Sequence, residues 1–133
     1  MNWRKILLLS LLSLPVTLLS IYGFIHSPEV EAVVWLLVGL GIAWVLRSAA
    51  KPFLSGFACG VLMAFLSHLL SMGLWDTYVA NNLAMSEQIS TAAVSKNMSV
   101  QVFLLVTAAM VGLMYGTVLG LLAWGASKVA RRG

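Results

Sequence analysis

His68 is the one imidazole set inside an apolar run of this chain, and imidazole exchanges protons near neutral pH. It lies seven residues inside Trp75, about 10 Å below the outer boundary of its run at 1.5 Å per residue. It continues a row of small residues at four-step spacing, Gly56, Gly60 and Ala64, with Ser67 and Ser71 beside it. A side chain on such a row faces other helices and not lipid. Thr107 lies at similar depth in the last run and Ser20 in the first, with Thr17 one turn deeper. Tyr115 stands near mid-run between Gly112 and Gly116, where its hydroxyl needs a partner. Ser13 or Thr17 is the expected one. The simplest chemistry for His68 is a neutral ring donating to a hydroxyl or carbonyl across helices. Proton-linked or ligand-contacting chemistry is the sharper alternative, and one histidine makes no relay.

Other chemistry finds little footing. No Asp, Glu, Lys or Arg lies in the core of a run, whereas ion-coupled carriers and pumps usually need one. His26, Glu29 and Glu31 surround Pro28, and with Asp76 they read as solvated acidic loops, not as a metal site. There is no HExxH, no GxGxxG, no Ser/His/Asp arrangement and no pair of carboxylates within a run. No catalytic residue, metal or cofactor is expected. Cys59 is the only cysteine, so neither an internal disulfide nor a CxxC motif exists.

The elements that would hold these groups follow from composition and charge. In 133 residues there is room for one domain, 61% of it hydrophobic and 9% charged, with a mean hydropathy of +0.98. A soluble domain carries about 25% charge. Four apolar runs are predicted to be membrane-spanning helices, from about Ile6 to Ile25, Val30 to Leu46, Phe53 to Trp75 and Val100 to Ala126. The N-terminal run is too long for a signal-peptide core of roughly 7–15 residues and reads as a retained helix. Pro15 in its middle should kink it.

The charges sort by sign along these runs. Arg4 and Lys5, then Arg47 and Lys51, then Lys128, Arg131 and Arg132 flank the same side. All four acids, Glu29, Glu31, Asp76 and Glu87, fall on the other, joined by the single exception Lys96. This is the positive-inside pattern, with both termini inside. The net charge of +4 belongs to the loops over anionic headgroups, and no nucleic-acid motif accompanies it. Trp3, Trp44 and Trp124 fall at the inner interface, and Trp35 and Trp75, with Tyr22 and Tyr78, near the outer one. The outer segment from Asp76 to Ser99 reads as one short amphipathic helix, with Met85, Ile89, Ala92, Ala93 and Lys96 on one side. Asn97-Met98-Ser99 matches a glycosylation sequon but abuts the last helix.

Two glycine rows predict where helices touch. Gly56, Gly60 and Ala64 form one; Ala108, Gly112, Gly116 and Gly120 form the other. Lipid tails supply no hydrophobic force between helices, so close backbone approach must hold them. The third and fourth runs are expected to pack on each other within one chain, with a homodimer seam as the alternative for the last row.

From Arg47 to Arg132 the chain resembles a family of bacterial four-helix membrane proteins of unknown function, the DUF4199 type. A basic loop, Arg47-Ser-Ala-Ala-Lys51, leads into Phe53-Leu-Ser-Gly56-Phe-Ala-Cys-Gly60. A long helix ends in Trp75-Asp-Thr-Tyr78, and an outer segment with Met85, Glu87 and Gln88 precedes a glycine-rich helix and basic tail. The resemblance implies a four-helix bundle in a bacterial cytoplasmic membrane and assigns no residue a role. The small multidrug transporters are similar in size alone. They depend on a carboxylate in their first helix, where this chain has Ser10, Ser13, Thr17 and Ser20. Two functions remain. One is a non-enzymatic accessory or scaffold subunit that packs against another membrane protein. The other is a small homodimeric carrier or channel with a polar site of Ser20, Thr17, His68, Thr107 and Tyr115.

Overall fold

A computed structural model describes residues 1–131; Arg132, the last of the basic tail, lies outside the described residues. The chain is 83% helical, with no strand among the described residues. Seven helices follow in order: α1 Trp3–Ser10, α2 Ser13–Ile21, α3 Pro28–Leu46, α4 Pro52–Gly73, α5 Trp75–Asn81, α6 Leu83–Ser95 and α7 Val100–Ala130. Taken together α1 and α2, then α3, α4 and α7, make four stretches long and apolar enough to cross a membrane. Their outward faces expose large apolar side chains, such as Leu37 at 62% and Met114 at 70%. So large an exposed apolar surface marks contact with something other than water.

The boundaries depart from the sequence expectation for local reasons. The first run is two helices, because Pro15 has no N–H for the Leu11 carbonyl and its ring crowds that carbonyl. Leu14 N–H bonds Leu11 O at 3.1 Å instead, and Leu12 N–H bonds Leu9 O at 3.1 Å. The run stops at Ile21 and not Ile25 because Gly23 takes a left-handed φ of +75°. Gly23 N–H then reaches Ser20 O at 3.0 Å and Phe24 N–H reaches Leu19 O at 2.9 Å, the paired bonds of a Schellman stop. α3 begins two residues earlier than expected, since Ser27 accepts from Val30 N–H at 3.2 Å and Pro28 suits the first turn. The outer segment is two helices, α5 and α6, and not one. α7 runs on to Ala130, about 46 Å at 1.5 Å per residue, with Lys128 in its last turn, where a cation is favoured.

α4 and α7 form the closest pair. A Cβ built on Gly60 would stand 2.6 Å from Gly116 Cα, and one on Gly56 2.6 Å from Leu119 O. A Cβ on Gly116 would meet Phe57 O at 2.8 Å, and one on Gly120 would meet Phe53 O at 2.9 Å. Backbone meets backbone here, and the opposed carbonyls suit weak Cα–H···O contacts. Gly112 is different: a Cβ there would reach Ala64 Cβ at an ordinary 3.5 Å. Ala108 is fully buried on the same row.

The other helices pack on this pair, α1 and α2 on α4, and α3 chiefly on α7. One apolar core gathers at the end where Lys and Arg lie: Ile6, Ile42, Leu46, Met63, Leu119 and Ala123, with Cys59. The Cys59 thiol reaches the Ile6 carbonyl at 3.9 Å, and the Lys5 ammonium donates to Val45 O at 3.1 Å. The Arg47 guanidinium lies 4.0 Å over the Trp44 ring. Ser55 Oγ is buried here with no hydrogen-bond partner among the described residues.

Gly60→Ala should cost about 2–3 kcal/mol, because neither facing backbone can yield. Gly112→Ala should stay within about 0.5 kcal/mol. Reversible unfolding in mixed micelles compares the two, and Gly125→Ala, with nothing within 4 Å of the added carbon, is the control.

Candidate functional site

Away from the core, toward the end that carries the acids, the helices line a cleft of about 350 Å³. α2 supplies Thr17 and Ser20, and α4 supplies Ser67, His68 and Ser71. α3 contributes Glu31 and Trp35, α7 contributes Tyr115, and α5 and α6 cover the cleft with Trp75, Tyr78 and Ile89. Four of the five polar residues expected to share a site, Thr17, Ser20, His68 and Tyr115, therefore converge. Thr107 does not. It is absent from the lining, and its hydroxyl donates to Phe103 O of its own helix at 2.8 Å.

Thr17, Ser67, His68 and Tyr115 each have an identifiable partner. Thr17 Oγ1 lies 2.8 Å from Ser13 O and 2.8 Å from Ser67 Oγ. One proton cannot serve both, so with Thr17 donating to the carbonyl, Ser67 donates to Thr17. This pair ties α2 to α4 without charge. His68 Nδ1 lies 2.8 Å from Ala64 O. A carbonyl only accepts, so Nδ1 carries a proton. The expected bond across helices is instead a bond back along α4, because the carbonyl one turn earlier lies directly beneath the ring.

Tyr115 also finds a different partner from the expected Ser13 or Thr17. Its hydroxyl donates to Trp35 O at 2.9 Å, and the two rings stand edge to face, 5.8 Å between centroids. The reason is rotation about α7. Gly112 and Gly116 face α4, so Tyr115, one residue before Gly116, is turned toward α3. α3 accepts the phenol because Gly39 leaves room: a Cβ there would stand 3.0 Å from the hydroxyl oxygen.

At the rim, Trp35 Nε1–H points to Glu31 Oε1 at 3.4 Å, one turn along α3. Glu31 sits in the first turn of that helix, where the dipole favours an anion. Trp75 and Tyr78 stack at 5.5 Å. Burial first, and then the charge of Glu31, hold the Tyr78 phenol above its ordinary pKa. The covering segment is anchored by Asn82, whose amide donates to Ser20 O at 3.0 Å and to Ile21 O at 3.2 Å. Ile21 O is a carbonyl that the end of α2 leaves unpaired, and Ser20 O already accepts from Gly23 N–H. Among the described residues no three His, Cys, Asp or Glu side chains converge as metal ligands.

Sequence reasoning placed Trp35, Trp75 and Tyr78 at the interface but not in the cleft, and did not single out Glu31 or Asn82 as positioned groups. The i,i+4 spacing of Glu31 and Trp35 was the available signal. Comparison with known proteins found no matching family model, curated protein or solved structure.

Asn82→Ala should cost about 1–2 kcal/mol. Amide exchange should rise in α6 and not in α4 or α7. Tyr115→Phe should cost about 1 kcal/mol, and Gly39→Ala should be cheaper in that background than alone. A double-mutant cycle on unfolding free energies reads this coupling.

Proposed function

We propose that this chain is a non-enzymatic integral membrane protein, a four-helix bundle of a bacterial cytoplasmic membrane with both termini inside, acting as an accessory or scaffold subunit. The likeness of residues 47–132 to bacterial four-helix membrane proteins belongs to the same reading. The orientation rests on the charge sorting, because Lys and Arg are retained on the cytoplasmic side. On this reading the core lies in the inner half and the cleft in the outer half, under α5 and α6.

One observation carries the subunit reading. Four polar groups of the spans spend hydrogen bonds inside the chain: Thr17 with Ser67, Tyr115 with Trp35, and His68 and Thr107 each with its own helix. The apolar core fills the basic end. A single copy thus offers a solute no polar route from one face to the other. α6 meanwhile presents Glu87, Gln88, Thr91 and Ser95 outward, a polar face on which another protein can dock.

The cleft favours a second reading, a small homodimeric carrier with its site around His68. A dimer would need a face other than the glycine row of α7, since that row is occupied by α4.

Native mass spectrometry of the protein, gently extracted from its own membrane, should yield a fixed-ratio complex with a different protein. His68→Ala should leave that complex intact. A homodimer whose solute flux in vesicles is lost in His68→Ala would replace the subunit reading with the carrier.

A further inference from the structure

Four Trp and Tyr rings and one carboxylate line the cleft, and among the described residues no Lys or Arg does. The rings arrive from different elements, Trp35 on α3, Trp75 and Tyr78 on α5, and Tyr115 on α7. Aromatic faces carry negative potential, and Glu31 adds a full negative charge at the rim. The remaining wall is apolar or hydroxylic, with Leu104 and Val111 among it.

That combination selects among ligands. An anion is repelled by both the carboxylate and the ring faces. A small, strongly hydrated metal ion needs six or more oxygen ligands, and one carboxylate cannot replace its water. A neutral apolar ligand would cover Glu31 without compensating its charge. An alkylated ammonium is weakly hydrated, attracted by ring faces and neutralised by one carboxylate. The volume, about 350 Å³, suits a small ligand of this kind. The Nδ1 of His68, which also lines the cleft, is held by Ala64 O at 2.8 Å.

We propose that the cleft is a binding site for an organic ammonium cation, with Glu31 as its counter-ion and the rings of Trp35, Trp75, Tyr78 and Tyr115 as its walls. The same chemistry is carried by a free alkylammonium solute and by the choline or ethanolamine headgroup of a phospholipid. The site goes beyond the subunit reading and does not depend on it, for binding without transport and without a partner satisfies it.

The test uses the full chain in nanodiscs of phosphatidylglycerol, a lipid with no ammonium group. Choline is titrated while tryptophan fluorescence is followed. A parallel titration uses the uncharged isostere of choline, in which a tert-butyl group replaces the trimethylammonium. Choline should give a saturable change and the isostere none. Glu31→Gln, with helical circular dichroism unchanged, should require roughly tenfold more choline. In phosphatidylcholine nanodiscs, loss of the choline response identifies the headgroup as occupant, and its persistence identifies the free solute; both support the site. No saturable response in phosphatidylglycerol, or an equal response to the isostere, overturns the proposal. Unchanged choline affinity in folded Glu31→Gln does so as well.

Discussion

α4 and α7 touch through backbone, and the placement of the other spans depends on that contact. In hydrocarbon, apolar side chains gain nothing by leaving lipid for protein, so helices associate through close packing and hydrogen bonds. With no Cβ at Gly56, Gly60, Gly116 and Gly120, the two axes approach until carbonyls and α-carbons meet. The contact also sets rotation. Once Gly116 and Gly120 face α4, Tyr115 must face α3, and its hydroxyl bond to Trp35 O holds that helix in place. Once Gly60 and Ala64 face α7, Ser67 turns toward α2 and meets Thr17.

The molecule is asymmetric along its spans. At the basic end, side chains of α1, α3, α4 and α7 interlock as one apolar core. At the other end α2, α3, α4 and α7 carry hydroxyls, an imidazole and aromatic rings, and these line the cleft. The break above Pro15 serves this division. On either side of it, α1 lies on the core through Ile6 and α2 presents Thr17 and Ser20 to the cleft. Asn82 then bonds the last carbonyls of α2, so the covering helices are tied to a span and not merely laid over it. In so apolar a setting, each satisfied hydroxyl and amide removes a cost of several kcal/mol per orphaned group.

A cleft built from six helices responds to changes in any of them. Glu31 and Trp35 are fixed by the start of α3, and that start depends on Ser27 and Pro28. Trp75 and Tyr78 depend on the break at Leu74, where the long α4 gives way to α5. The lining of the cleft therefore rests on local helix signals several residues away from the rings themselves.

The sequence by itself determined the four apolar stretches, the side on which charge collects, and the pairing of the two glycine rows. These are local or periodic properties: hydropathy over about 20 residues, charge in short loops, and small residues every fourth position. It also placed Thr17, Ser20, His68 and Tyr115 at comparable depth, since depth is counted along a helix. Only the tertiary structure decided which of them meet. Thr107 has the right depth and the wrong rotation, and Tyr115 bonds Trp35 and not Ser13 or Thr17, because rotation follows from the α4–α7 contact. The aromatic walls of the cleft and Glu31 were likewise decided in three dimensions. They bring together residues 31, 35, 75, 78 and 115, whose proximity no spacing along the chain encodes.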